Sequence, residues 1–250
     1  MIEVLDRVRL GALSAADAAT QIGSLPYAEV AHAVGATLID HHRELRTGIP
    51  EIVYGAGKTP AQIAAAMGEL AAHAGGAIAT RVDAVKAEAL RSLLPAATYH
   101  ELARIVVLGT PTARPAAGTI AIVCAGTSDL PVAEEAALVA EFLGAPVVRI
   151  SDVGVAGLHR LLARVDEIRA CEVVLCVAGM EAALPSVLGG LVDRPLIGVP
   201  TSVGYGVAAE GLIAMGGMLS SCAPGMTVVN IDNGVGAAVA AVRIARLAVK

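Results

Sequence analysis

The residues with the clearest chemical potential surround Cys222, in the run Leu219-Ser220-Ser221-Cys222-Ala223-Pro224-Gly225-Met226. The run follows an apolar helix-like stretch and precedes the buried-strand-like Val228-Val229-Asn230-Ile231-Asp232. A thiol on a tight turn at a strand edge is a candidate nucleophile. Ser-Ser before it and Pro-Gly after it fix the backbone without bulk and leave room for a flat substrate. The other role open to such a cysteine is that of a small buried hydrophobe. Because Cys222 follows a helix C-terminus, whose dipole disfavours a thiolate, nucleophilic use calls for a cationic substrate or a nearby base. Glu181 follows Gly179-Met180 at the end of an expected strand, at the same sheet edge where Cys222 is expected to arrive. A carboxyl there can move protons, or serve only as a solvated helix-start glutamate.

Other chemistry-bearing types are concentrated in loops. Gly126-Thr127-Ser128-Asp129-Leu130-Pro131 opens a helix with hydroxyls and a carboxyl, which suits a phosphate or ribose and equally suits a plain helix cap. Gly55-Ala56-Gly57-Lys58-Thr59 places backbone N–H groups, a lysine and a hydroxyl at a helix start, an anion site or an ordinary glycine turn. It is too short for the phosphate loop of nucleoside triphosphatases. Cys124 and Cys176 lie in apolar strand-like runs, and Cys171 closes a polar helix. No cysteine or histidine spacing is that of a metal site.

These loops need a scaffold, and the patterning supplies one. Residues 1–50 read as short helices, with Ser14-Ala15-Ala16-Asp17 resembling a capping box. A β-α-β unit follows: strand 51–55, Thr59-Pro60 as N-cap and first helical residue, helix 61–74, and strand 77–81. Pro111, Pro115 and Gly118 mark the expected boundary between an N-terminal α+β domain, 1–115, and a C-terminal domain, 116–250. In the latter, strands at 119–125, 146–150, 173–178, 196–200 and 228–232 alternate with helices at 131–143, 157–169, 183–191, 206–219 and 235–249. Continuous apolar strands between amphipathic helices mean α/β, with a parallel sheet covered on both faces in three layers, flavodoxin-like or Rossmann-like. Ligands of such sheets sit beyond the carboxyl ends of the strands, where every loop of this chain carries glycine or polar side chains.

Composition narrows the class further. The chain has 250 residues, 56% of them hydrophobic, with one Phe, no Trp and 27 Gly, so its core is built from small aliphatic side chains. Its apolar surplus predicts a homo-oligomer larger than a dimer. A net charge of −5 with scattered basic residues and almost no aromatics excludes nucleic acid as a partner. The N-terminus lacks the pattern of a signal peptide, and polar residues break the longest uncharged stretch, 211–231, so a cytoplasmic protein without a membrane span is expected.

The regular C-terminal half, with its Gly126-Thr127-Ser128-Asp129-Leu130-Pro131 loop, resembles the catalytic domain of the purine-pathway carboxyaminoimidazole ribonucleotide mutases, which are octamers. Those enzymes carry a Ser-Ala-His-Arg-Thr-Pro loop with a proton-shuttling histidine, whereas this chain has Ser151-Asp152-Val153-Gly154-Val155-Ala156-Gly157-Leu158-His159-Arg160. Asp40-His41-His42-Arg43-Glu44-Leu45-Arg46, Tyr54-Gly55-Ala56-Gly57-Lys58-Thr59, Asp152-Val153-Gly154-Val155-Ala156-Gly157, Gly198-Val199-Pro200-Thr201-Ser202-Val203-Gly204-Tyr205-Gly206 and the Cys222 turn together resemble the LarB family, over nearly the whole chain. That family starts biosynthesis of the nickel-pincer nucleotide cofactor of lactate racemase.

The resemblance implies a carboxylase and hydrolase acting on nicotinic acid adenine dinucleotide, with CO2 or bicarbonate as co-substrate. A carboxylate is added to the pyridinium ring through a Cys222 adduct, Glu181 is the base, and pyrophosphate cleavage releases AMP. Substrate contacts are then expected from Thr127, Ser128, Asp129, Asp152, Gly179, Thr201, Ser202, Tyr205 and Asn233, and from Lys58 and Arg81 for phosphates. Mg2+ or a similar ion is implied as a helper of hydrolysis, with Asp129 and Asp152 as candidate ligands. Two alternatives are a purine ribonucleotide carboxylase or mutase without a covalent cysteine, and a non-catalytic nucleotide-binding module.

Overall fold

A computed structural model describes residues 2–24, 27–32, 35–111 and 116–249. The chain divides into two units, Met1–Thr98 with Val106–Thr112, and Tyr99–Ile105 with Ala113–Lys250. Met1 of the N-terminal run and Pro115 of the expected boundary lie outside the described residues.

The elements up to residue 109 are α1 (Ile2–Arg9), α2 (Ala15–Ser24), β1 (Ala28–His32), β2 (Gly35–Ile39), α3 (Arg43–Thr47), β3 (Val53–Tyr54), α4 (Pro60–Ala74), β4 (Gly76–Thr80), α5 (Ala84–Leu93), β5 (Ala97–His100) and β6 (Ile105–Gly109). Local chemistry sets several ends. Ser14 caps α2, its hydroxyl accepting the Asp17 N–H at 3.0 Å. Thr59 and Gln62 cap α4 reciprocally, with Pro60 in the first turn and left-handed Gly75 closing the helix. β3, β4, β6 and β5 form a sheet in that order, with β3 and β4 parallel and β4 and β6 antiparallel.

The expectation of helices throughout residues 1–50 is corrected at Ala28–His32 and Gly35–Ile39, where β1 and β2 pair antiparallel. Ala and Glu favour helix locally, but packing against α4 selects the extended form, with Ala28, Val30 and His32 turned inward and Glu29 and Ala31 outward.

The second unit contains β7 (Ile120–Cys124), α6 (Leu130–Phe142), β8 (Val147–Ile150), α7 (Leu158–Leu162), α8 (Val165–Arg169), β9 (Val173–Ala178), α9 (Ala183–Gly189), β10 (Leu196–Pro200), α10 (Leu212–Leu219), β11 (Thr227–Val228) and α11 (Gly234–Leu247). Its sheet has the order β11-β10-β9-β7-β8, every pair parallel. This is the flavodoxin-like doubly wound order, in which the strand sequence reverses beside the first strand. Every residue of β7, β9 and β10 is buried.

Alternation divides those strands between two helical layers. Ala121, Val123, Val174, Cys176 and Ala178 share a core with Leu161, Ile168, Leu184, Leu188, Ala214 and Met218 of α7 to α10. The opposite face is covered by α6 and α11. Those two helices pack against each other, and both are rich in buried alanine, Ala133, Ala136, Ala137 and Ala140 on one and Ala237, Ala238, Ala241 and Ala245 on the other. The approach is close enough that a Cβ on Gly234 would lie 2.7 Å from the Val132 carbonyl oxygen. Full burial of a Leu or Ile side chain stabilises by roughly 1.5–3 kcal/mol, so this layered core carries the unit.

Three elements of the second unit differ from the sequence expectation by more than one or two residues at an end. Helix 157–169 is broken into α7 and α8, and β11 ends at Val228 rather than 232. Helix 206–219 opens with a 3-10 segment, Gly206–Gly211, interrupted at Ala209 and Glu210, which take left-handed conformations. Among the described residues, no helix is long and apolar enough to cross a membrane.

Candidate active site

The carboxyl ends of β7, β9 and β10 are tied together by one buried carboxylate. Asp129 closes the 3-10 turn Thr127–Asp129 that follows β7 and is only 4% exposed. Its Oδ1 accepts the Thr201 hydroxyl at 2.6 Å and its Oδ2 accepts the Gly126 N–H at 3.0 Å. Burial raises its pKa above the usual carboxylate range, against the lowering effect of its bonds from Thr201, Gly126 and Gly179. Thr201, fully buried after β10, also accepts the Val203 N–H at 3.4 Å. The Cys124 thiol donates to the Gly126 carbonyl at 3.1 Å. Its pKa is pushed up to about 12, by burial first and then by the neighbouring Asp129, so it remains a neutral donor.

The loop after β9 is strained. Met180 and Ala182 adopt left-handed φ values of 52° and 51°, flanking exposed Glu181. Met180 N–H donates to the Val203 carbonyl at 2.8 Å. Gly179 is obligatory here, since a Cβ would lie 2.6 Å from Thr201 Oγ1. The loop after β11 joins the same edge: Ser202 N–H donates to Asp232 Oδ1 at 2.8 Å. The structure therefore brings together Asp129, Gly179, Thr201 and Ser202, four residues singled out from sequence. Tyr205 extends from the β10 loop, largely exposed. Thr127 and Ser128 lie in the 3-10 turn with Asp129. Asn233 caps α11, accepting the Gly236 N–H at 2.8 Å.

Asp152, after β8 with a left-handed φ of 59°, is paired with Arg160 Nη1 at 2.5 Å. A divalent ion is the group the resemblance implies. Asp129 spends its two oxygens on protein donors and Asp152 pairs with arginine, and among the described residues no group of three or more His, Cys, Asp or Glu side chains is arranged to hold a metal. The pair does not fit a resident metal site in this chain.

Cys222 is the exposed cysteine; Cys124, Cys171 and Cys176 are buried. Its placement corrects the expectation that it shares an edge with Glu181. A segment between a helix and the next parallel strand lies at the amino ends of the strands, whereas Glu181 follows a strand. Accordingly Ala223 packs against Gly189, the last residue of α9, which also neighbours Leu196, the first residue of β10. The Cys222 turn rests on the far half of the helix that Glu181 introduces. Ser221 was singled out by sequence reasoning, as part of the Ser-Ser pair that fixes the turn, whereas Arg160, Ser186 and Gly189 were not. Each acts through a partner remote in sequence or a packing approach, apart from the Asp152-to-Arg160 spacing that a charge-pair search would have caught.

Lys58 and Arg81 belong to the first unit, beyond the carboxyl ends of its parallel strands β3 and β4. The loop before α4 is held instead by Lys86, whose Nζ donates to the Gly55 and Ala56 carbonyls, both at 2.8 Å. Lys58, half-buried, takes part in the loop through its backbone, its N–H donating to the Gly55 carbonyl at 3.2 Å.

Residues 31–110 match the family described as a LarB/PurE-like N-terminal domain, and residues 119–250 match AIR carboxylase. An uncharacterized protein of Methanocaldococcus jannaschii is 39% identical over 230 residues, covering 84% of each chain. The N5-carboxyaminoimidazole ribonucleotide mutase of Pyrococcus horikoshii is 32% identical over 131 residues, 50% of this chain and 71% of that one. Its counterpart in Methanocaldococcus jannaschii is 35% identical over 135 residues, 51% and 79% respectively.

Proposed function

From the premise that this chain belongs to the AIR carboxylase family, in the form that carries a LarB/PurE-like N-terminal domain, we propose that it carboxylates the pyridinium ring of nicotinic acid adenine dinucleotide through a Cys222 adduct. Family membership makes it a carboxylase or mutase. The observation that carries the finer reading is the exposed thiol of Cys222, set on a turn while the other three cysteines are buried.

A pyridinium is electron-poor and cannot attack CO2. Addition of the Cys222 thiolate forms a C–S bond and moves an electron pair to the ring nitrogen, giving a dihydropyridine whose enamine carbon attacks CO2. Glu181 then removes the proton from the newly carboxylated carbon, and the returning electron pair expels the thiolate and restores the aromatic ring. Water cleaves the phosphoanhydride, releasing AMP and the dicarboxylated mononucleotide. A divalent ion, in this reading, arrives on the substrate's pyrophosphate rather than in a resident carboxylate site. Thr127, Ser128, Ser202 and Tyr205 contact the substrate, while Asp129 and Thr201 hold the loops that carry them.

The mechanism asks a thiol and a carboxylate at different levels of α9 to serve one ring. Exposed apolar residues run along the segment leading into that turn: Tyr205, Val207, Leu212, Ile213 and Leu219. Self-association through this segment belongs to the proposal, with a second copy as the occupant and an octamer as the expected state, and light scattering of the purified protein checks it.

Incubation with the dinucleotide, magnesium and carbon-13 bicarbonate, followed by mass spectrometry, tests the reading. AMP and a labelled dicarboxylated mononucleotide are expected from the wild type and not from Cys222→Ala. Unchanged dinucleotide overturns the assignment. The half-chain similarity to mutases keeps a purine ribonucleotide reaction as the second reading, for which Cys222→Ser would retain activity.

A further inference from the structure

The turn that carries Cys222 owes its place to one helix. Ser186 on α9 and Ser221 share a hydroxyl-to-hydroxyl hydrogen bond of 2.7 Å, and Ser221 Oγ accepts the Ala223 N–H at 3.1 Å. On the other side of the thiol, a Cβ on Gly189 would lie 2.7 Å from that of Ala223, so only glycine admits the close approach. The residues immediately before and after Cys222 are thus both fastened to α9, at positions about 4.5 Å apart in helical rise. The same helix is introduced by Glu181, whose carbonyl oxygen would lie 2.6 Å from a Cβ on Gly217 of α10. α9 therefore sets the spacing between the strained carboxylate loop and the thiol turn.

We propose that Ser186 is a positioning residue for Cys222: its bond to Ser221 selects one conformation of the 221–223 turn and so the direction from which the thiol meets its electrophile. The proposal rests on the reading of Cys222 as the nucleophile. A hydroxyl pair on a half-buried helix face adds little to global stability, but it removes the alternative turn conformers in which the sulfur is misdirected. Misplacement by 1 Å can cost about a hundredfold in rate.

The experiment uses the full chain with Ser186→Ala, Ser221→Ala, the double variant and Ser186→Thr, and takes two readouts. One is kcat and KM on the dinucleotide. The other is the rate of Cys222 alkylation by iodoacetamide, followed on its peptide by mass spectrometry, which needs no substrate and stays decisive even where the dinucleotide is not turned over. Ser186→Ala is expected to lower kcat by about tenfold with KM little changed, and to alter the alkylation rate severalfold. Ser186→Thr restores both, and the double variant is no worse than either single, as two ends of one bond require. Gly189→Ala, which displaces Ala223 without touching a hydroxyl, should also act on kcat and serves where a serine variant fails to fold. Wild-type kcat and alkylation in Ser186→Ala, or effects that simply add in the double variant, overturn the proposal.

Discussion

The loops beyond β7, β9 and β10 and the turn around Cys222 represent opposite ways of building part of a site. The first set is buried at its centre and over-determined. Asp129 receives bonds from Thr201 and Gly126, Gly179 has no room for a Cβ, and Met180 and Ala182 hold left-handed backbones. The second carries an exposed thiol and is fastened to α9 by one hydroxyl pair and one close glycine. Strain and buried charge persist only where many contacts enforce them, whereas a nucleophile has to be reachable. The difference separates residues that hold geometry from residues that do chemistry, and substitutions should separate them too.

The largest effect is expected at Cys222. Cys222→Ala should reduce product formation by at least about a thousandfold, while the unfolding free energy stays within about 0.5 kcal/mol, since the side chain is exposed. Loss of folding in that variant would place the turn with the rigid region. Asp129→Asn should behave in the opposite way, because an amide presents a donor to donors already aimed at the carboxylate. A loss of about 2–3 kcal/mol is expected, read by denaturant unfolding.

The pH dependence of stability sharpens the same contrast. Burial raises the Asp129 pKa above its ordinary 3.8, so the folded chain holds that proton more tightly than the unfolded chain. The stability this contributes is present below the ordinary value and is lost as pH rises through the raised one. In Asp129→Asn that decline should vanish, as unfolding curves across the acidic range will show. Thr201→Val removes one donor to the carboxylate and should cost about 1–2 kcal/mol. The smallest effect, about 1 kcal/mol in the thermal unfolding of the first unit, is expected for Lys86→Met, which removes the ammonium donor from the Gly55 and Ala56 carbonyls.

Much of the second unit was legible because its signals are local and repeated. Val173–Ala178 and Leu196–Pro200 appear as strands at the expected residues, and glycine or polar loops follow them. The Thr59-Pro60 cap was legible for the same reason, since cap and partner lie three residues apart. The β1–β2 pair was hidden because the Ala and Glu within it favour helix and packing on α4 reverses that preference. Within the site, Cys222 and Glu181 stand out by type and neighbourhood. Their relative placement did not, because it depends on which end of a strand each segment adjoins. The Ser186 to Ser221 bond spans 35 residues and the Lys86 clasp 31, separations that leave no local pattern to read.

The central claim is that Cys222 forms a covalent adduct with the pyridinium ring and that Glu181 allows it to leave. Intact-protein and peptide mass spectrometry of Glu181→Gln, incubated with nicotinic acid adenine dinucleotide and bicarbonate, tests it most directly. The account predicts an added substrate-derived mass on the Cys222 peptide that accumulates because the ring proton is not removed, and that is absent from Cys222→Ala. An unmodified Cys222 peptide, together with labelled product still formed by Cys222→Ala, would contradict it.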